Sequence, residues 1–163
     1  MSKKIEFLKS QLQKRILVLD GAMGTMLQAQ GLKESDFNAG PFANHPKPLM
    51  GDNDVLCITR PDAVKTVHNA YLEAGADIIE TNTFNSNAVS QADYGLEDRV
   101  YDLAFAGAKI AREAADAMTA RTPGKPRFVA GSMGPTGRTA SMSPSETSPS
   151  TNSPQPIRFR RKR

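Results

Sequence analysis

Cysteine occurs once in this 163-residue chain, histidine twice and tryptophan not at all. A lone thiol, Cys57, excludes an intrachain disulfide and fits a reducing compartment, so the cytoplasm is the expected location. Neither His45 nor His68 stands next to Cys57 or at the i, i+4 spacing that puts two ligands on one helical face. No zinc site is legible from that pattern, and no metal is expected in this chain. His68 reads as a partly exposed structural residue, and Cys57, between Leu56 and Ile58, as a small buried hydrophobe. No apolar run approaches the roughly 18 residues that cross a bilayer, and no membrane association is expected. The N-terminal MSKKIEFLKSQLQKR lacks the continuous apolar stretch of a secretory signal. It predicts instead a short amphipathic helix with Ile5, Leu8 and Leu12 on one face.

Acidic residues are missing from the end of the chain. The last seven residues, IRFRRKR, hold five of the 21 basic side chains. Without them the balance is 16 basic against 17 acidic residues, so the net charge of +4 belongs to the tail. Nucleic-acid binding by the rest of the chain is therefore not expected. Residues 141–163 contain six Ser and four Pro, and their large apolar side chains are Met142, Ile157 and Phe159. Such a segment cannot bury enough apolar surface to offset its ordering entropy, and disorder is predicted. Its RFRRKR cluster reads either as a solvated charge run or as a patch for nucleic acid, other anions or nuclear import.

Residues 1–140 have a different texture. A strand is predicted at Ile16–Leu19, and the polar, Pro- and Gly-containing stretch 28–58 reads mostly as loop. A helix begins near Pro61, which has no N–H to leave unpaired in a first turn. Val64, Val67, Tyr71 and Ala74 follow at helical spacing, and Gly75 sits where a C-terminal cap belongs. A second strand is predicted over Ala76–Thr81 and a short helix over 86–93. A long helix carries Val100, Leu103, Ala104, Gly107, Ala111, Ala114 and Met118 on one stripe, and its small residues allow close approach to a sheet. A third strand spans Arg127–Gly131. The order β-α-β-α-β with short apolar strands predicts a parallel sheet with right-handed crossovers.

In parallel α/β folds the carboxyl ends of the strands share one face, and ligands bind there. The strand ends here are LDGAMGT, ETNTFNSN and AGSMGPTGRT. Asp20 therefore points to a common rim, where it has two readings: a carboxylate for a cationic ligand group, or a cap for the following helix or turn. Thr81, Asn82 and Thr83 read equally as a turn that closes the strand or as ligand contacts. Gly21 and Gly24 suit close backbone approach or tight turns. GSMGPTGRT imitates a phosphate loop but has five residues between Gly131 and Gly137, with Arg138 in place of lysine. No amphipathic helix follows it, so nucleotide binding is not expected.

ILVLDGAMGTML, GDNDVL, HNAYLEAGADIIETNTFNSN and RFVAGSMGPTGRTASMSP, in that order, closely resemble the N-terminal homocysteine-binding domain of cobalamin-dependent methionine synthase. The resemblance covers about residues 5–144. It implies a (β/α)8 TIM barrel with homocysteine at the C-terminal face, and a zinc held by three cysteine thiolates that activates the sulfur. A methyl group then passes from methylcobalamin, where it derives from methyltetrahydrofolate, to homocysteine to give methionine. Carried over, Asp20 and the Gly21 backbone would hold the amino-acid end of homocysteine, with Thr81, Asn82 and Thr83 as further wall contacts. The zinc cysteines of that family lie in later segments that this sequence does not contain. The chain thus reads as about the first three strands of an incomplete barrel (1–140) with a tail (141–163), from a truncated or frame-shifted product or a faulty gene model. It is expected to be inactive alone, since a thiol of pKa about 8.5 stays mostly protonated at neutral pH without a metal. Open sheet edges make self-association the expected side effect. The competing reading is a non-catalytic fragment whose basic tail is its only binding element.

Overall fold

The parallel sheet forms, but it is narrower than the sequence pattern predicts. In a computed structural model that describes residues 3–136, β1 (Ile78–Glu80) pairs in parallel with β2 (Phe128–Ala130), with Ile79 opposite Val129. The predicted first strand is reduced to a single bridge, Leu19 to Ile78, on the other side of β1. Its backbone is still anchored: Ile78 N–H donates to Val18 O at 3.1 Å, and Asp20 N–H to Ile78 O at 2.9 Å. The expectation of a buried strand is corrected, since Ile16 is 88% and Val18 55% exposed. The physical reason is position. Among the described residues this segment is an edge with nothing paired beyond it, so one of its sides meets water.

Asp77 locks the edge in place. Arg15 Nη1 and Nη2 each donate to its carboxylate at 2.7 Å, and Val18 N–H donates to the same group at 2.9 Å. Lys125 Nζ lies 3.6 Å away. Burial pushes the acid's pKa up, but the Arg15 hydrogen bonds and the other donors outweigh it and hold the value at about 2.

The helices follow the sequence periodicity more closely. We label them in chain order: α1 (Lys3–Leu12), α2 (Met23–Gln28), α3 (Glu34–Phe37), α4 (Leu56–Thr59), α5 (Pro61–Ala74), α6 (Ala88–Gln91) and α7 (Val100–Arg121). Pro61 opens α5 as predicted, and Gly75 closes it at φ 110°, a left-handed position that favours glycine. On α7, Leu103, Gly107, Ala111, Ala114 and Met118 are buried. At Gly107 a Cβ would meet Thr83 Cγ2 at 2.6 Å, so the missing side chain is what lets α7 lie against the end of β1. The short helix predicted over 86–93 is α6, capped by Asn87 Oδ1 accepting from Ser90 N–H.

Two readings need refinement here. α1 forms, yet Ile5 and Leu12 are 46% and 53% exposed. Gln11 is the buried residue of this helix, Leu8 is partly buried, and Phe7, itself 48% exposed, has its ring 6.0 Å from that of Phe128. The stretch 28–58 is also more than loop, because it contains α3, α4 and two 3₁₀ turns (Gly40–Phe42 and Asn53–Val55). Phe37, Phe42, Leu49, Val55, Leu56 and Cys57 join Leu27, Val64, Val67 and Leu103 in the main apolar core. Its apolar residues are spaced irregularly between turn residues, so no period announces them.

The result is a mixed α/β fold with a small parallel sheet. No helix among the described residues is long and apolar enough to cross a membrane. The predicted tail, its basic cluster, Gly137 and Arg138 lie outside the described residues.

Candidate amino-acid site at the strand ends

Asp20 leaves the bridged edge and turns back over β1. Both of its carboxylate oxygens lie 3.1 Å from the Glu80 N–H that donates to them. It does not cap α2, whose N-terminal position is Ala22 with no side-chain cap. The capping reading therefore fails for α2: the donor from which Asp20 accepts lies across the sheet rather than along the chain. Burial pushes the Asp20 carboxyl up to about 6, offset partly by the Glu80 N–H and reinforced by the Glu80 charge.

The Asp20 carboxylate borders a cavity of about 390 Å³ whose walls include Gly21, Asn53, Asp54, Glu80, Thr81 and Ser132. Three acidic residues line this space and, among the described residues, no lysine, arginine or histidine does. Such a field favours a cationic group on the occupant. Gly21 sits close to Tyr71, whose hydroxyl would be 3.5 Å from an added Cβ, so the backbone rather than a side chain forms that wall.

Thr81 is buried, and its hydroxyl works across strands rather than within a turn. Its Oγ1 lies 2.6 Å from Thr83 Oγ1 and accepts from Ser132 N–H at 3.0 Å. Thr83 Oγ1 donates to Ser132 O at 2.9 Å. The two threonines thus clamp the segment after β2 to the segment after β1. Asn82 faces the other way. Its Nδ2 donates to Asn53 O at 2.7 Å, and its carbonyl accepts from Cys57 Sγ at 3.3 Å. Of the sequence-predicted residues, the fold brings Asp20, Gly21 and Thr81 to one cavity. Thr83 lines an adjoining apolar cavity of about 400 Å³ with Phe84, Met133 and Gly134, and Asn82 lines neither.

Reasoning from the residues alone missed Asp54. It is 1% exposed, and its Oδ2 accepts from Asn85 N–H at 3.0 Å and from Ser86 Oγ at 2.7 Å. Burial raises its pKa to about 7, with the charge of Asp52 adding to the effect. Asp52 is fully buried, accepts from Gln91 Nε2 at 3.2 Å and is pushed up to about 6, again chiefly by burial. The available signal was two carboxylates spaced by one residue immediately before the apolar VLCI, a costly arrangement unless partners exist.

Cys57 is buried as read, and burial pushes its thiol up to about 12. His68 is a correction. It is fully buried, and neither ring nitrogen has a partner among the described residues. It belongs to the apolar face of α5, between Val67 and Leu72, where the neighbouring core closes over it. Among the described residues no three His, Cys, Asp or Glu side chains are grouped to hold a metal. A zinc bound by three thiolates therefore does not fit these residues: burial holds the single cysteine in its thiol form, and it does not line the cavity. The segment 131–136 forms no helix start, and nothing there matches a phosphate cradle.

The homocysteine S-methyltransferase profile matches residues 17–158, which include every residue that lines the cavity. The chain belongs to the homocysteine S-methyltransferase family. The match runs past Pro144, where the quoted motifs end, into the Ser/Pro-rich segment. Among solved structures, this homocysteine S-methyltransferase chain is similar to the metallated form of the Escherichia coli homocysteine methyltransferase MmuM. The identity is 29% and the TM-score 0.60, over 78% of this chain and 41% of that one. The oxidized form of the same enzyme matches at 30% identity and a TM-score of 0.61, over 78% and 40% of the two chains. The chain thus spans about two fifths of the length of the structures it matches.

Proposed function

We propose that these residues form the amino-acid end of a homocysteine pocket, within an enzyme that methylates homocysteine to methionine. The supporting observation is the cavity in which Asp20, Gly21 and Thr81 converge with Asp54 and Glu80, with no basic side chain among the described residues. An α-ammonium group beside Asp20 would favour its ionised form and offset the burial that raises its pKa. The Gly21 backbone and Thr81 would complete the wall beside it. Asn82 and Thr83 would act through the packing behind that wall, as their partners suggest.

On this reading the edge segment, β1 and β2 are the first three strands of a (β/α)8 barrel. Val129 lies opposite Ile79, and alternation along β2 turns its N–H and C=O away from β1, towards the next strand or a second copy of this chain. The methyl donor is methylcobalamin recharged from methyltetrahydrofolate, as in methionine synthase, and the location is cytoplasmic. No sulfur-activating step is assigned to the described residues, because their donor set does not fit zinc. The chain alone is accordingly proposed to be inactive in methyl transfer.

Calorimetric titration of the full chain with L-homocysteine and with 4-mercaptobutyrate, which lacks the amino group, tests the assignment. L-homocysteine is expected to bind more tightly at pH 7.5, and its advantage should fade as pH falls through about 6, where Asp20 takes up a proton. Asp20→Asn should abolish the difference. Equal affinities for the two ligands would refute the assignment, and turnover of homocysteine by the isolated chain would refute its inactivity.

A further inference from the structure

We propose that Asp54 is a positioning residue whose buried carboxylate holds the loop after β1, and through it the segment after β2, in the shape that makes the cavity beside Asp20. The inference rests on the homocysteine reading only for the identity of the ligand. Its basis is a continuous set of contacts. Asp54 Oδ2 accepts from the Asn85 backbone and from the Ser86 hydroxyl, at 3.0 and 2.7 Å. These two residues directly follow Phe84, whose carbonyl accepts from Gly134 N–H at 2.9 Å. The Phe84 ring lies where a Cβ on Gly134 would come within 2.5 Å. Phe84, Asn85 and Ser132 all border the cavity that contains Asp20. A single acid in the 3₁₀ turn before α4 thus fixes two of the three strand-end segments.

A hydroxyl or amide in place of the acid would not do the same work. One carboxylate oxygen receives both a backbone and a side-chain donor, and hydrogen bonds to an ionised acceptor are roughly twice as strong as neutral ones. Asp54 feels the charge of Asp52 on the same turn, and Cys57 on α4 and Tyr94 after α6 feel the charge of Asp54. Asp20 and Glu80 line the same cavity. None of these groups is a cation that would hold Asp54 ionised. Its grip on the loop therefore depends on the two donors, and its charge changes near pH 7.

Amide resonances of the uniformly ¹⁵N-labelled full chain, followed from pH 5 to 9, test this. The Asn85 amide is expected to titrate with a midpoint of about 7. The titration should vanish in Asp54→Asn, in which the affinity for L-homocysteine should fall about tenfold. Ser86→Ala removes a donor that favours the ionised acid, so it should move the Asn85 midpoint upward; this arm decides the matter if Asp54→Asn does not fold. An Asn85 amide that titrates identically in Asp54→Asn, or a midpoint unmoved in Ser86→Ala, would overturn the proposal. Failure of the unaltered chain to bind L-homocysteine, with the Asn85 titration behaving as described, would overturn the substrate reading and support the role of Asp54.

Discussion

Replacing His68 with leucine should make the chain more stable, and increasingly so in acid. The imidazole is fully buried and neither nitrogen has a partner among the described residues. Its neutral form therefore leaves an N–H unsatisfied, a penalty of about 1–3 kcal/mol. Desolvation also lowers its pKa from 6.5 to about 4. With the folded value depressed, the unfolded chain takes up the proton first. The contribution to stability is then whole above pH 6.5, declines as pH falls, and levels off below about 4. At pH 4.5 these two values correspond to a loss of about 2.5 kcal/mol. Asp20, Asp52 and Asp54 act with the opposite sign, because their folded values are raised to about 6, 6 and 7. Their contribution is present in acid and is lost as pH rises through those values. The raw pH profile is thus a sum of opposing trends, and only the difference between His68→Leu and the unaltered chain isolates the histidine. Urea denaturation followed by circular dichroism at pH 7.5 and 4.5 measures that difference. The variant should gain about 1–3 kcal/mol at pH 7.5 and about 2.5 kcal/mol more at pH 4.5. A gain of the same size at both pH values would refute the reasoning.

Gly107→Ala should destabilise the chain by about 1–3 kcal/mol in urea denaturation, since the new methyl meets Thr83 Cγ2 at 2.6 Å with Cys57 Sγ and Asn82 O also close. The Cys57 thiol, 3% exposed and pushed up to about 12, should resist iodoacetamide at pH 8 in the native chain and react fully in urea; fast native labelling would show that the core around α4 opens. Asp77→Asn should cost about 2–3 kcal/mol at pH 7, from the loss of charge-assisted hydrogen bonds that tie the edge segment to β1. Because the folded pKa of Asp77 is depressed to about 2, that contribution is whole above about 4 and should shrink by pH 2.5, which paired denaturation curves at the two pH values would detect.

Much of the candidate site was legible because its residues sit at places where local chemistry is strict. Asp20 follows an apolar run, and a strand that delivers a carboxylate to a common rim needs only parallel topology to become a pocket wall. Thr81 was placed by the same logic. Asp54 was not, because its role depends on Asn85 and Ser86 at a sequence distance that no spacing rule connects. His68 was misjudged for a related reason. Its position beside an apolar stripe is visible in the sequence, but whether the neighbouring core closes over it depends on the irregular stretch 28–58.

The sequence by itself determined the two long helices, α5 and α7, and both ends of α5. Periodicity and the chemistry of Pro61 and Gly75 act within a turn or two, where side-chain spacing and backbone sterics dominate. It also determined the order of strands, and hence that Asp20 and Thr81 would share a rim. Only the tertiary structure decided which carboxylates are buried, which face the cavity and which groups answer them, because desolvation and hydrogen bonding across segments depend on what the whole chain packs together. The exposure of Ile16 and Val18 belongs to that second class. An apolar strand is buried only where a neighbour covers it, and the neighbours that reach that edge among the described residues lie on one side alone.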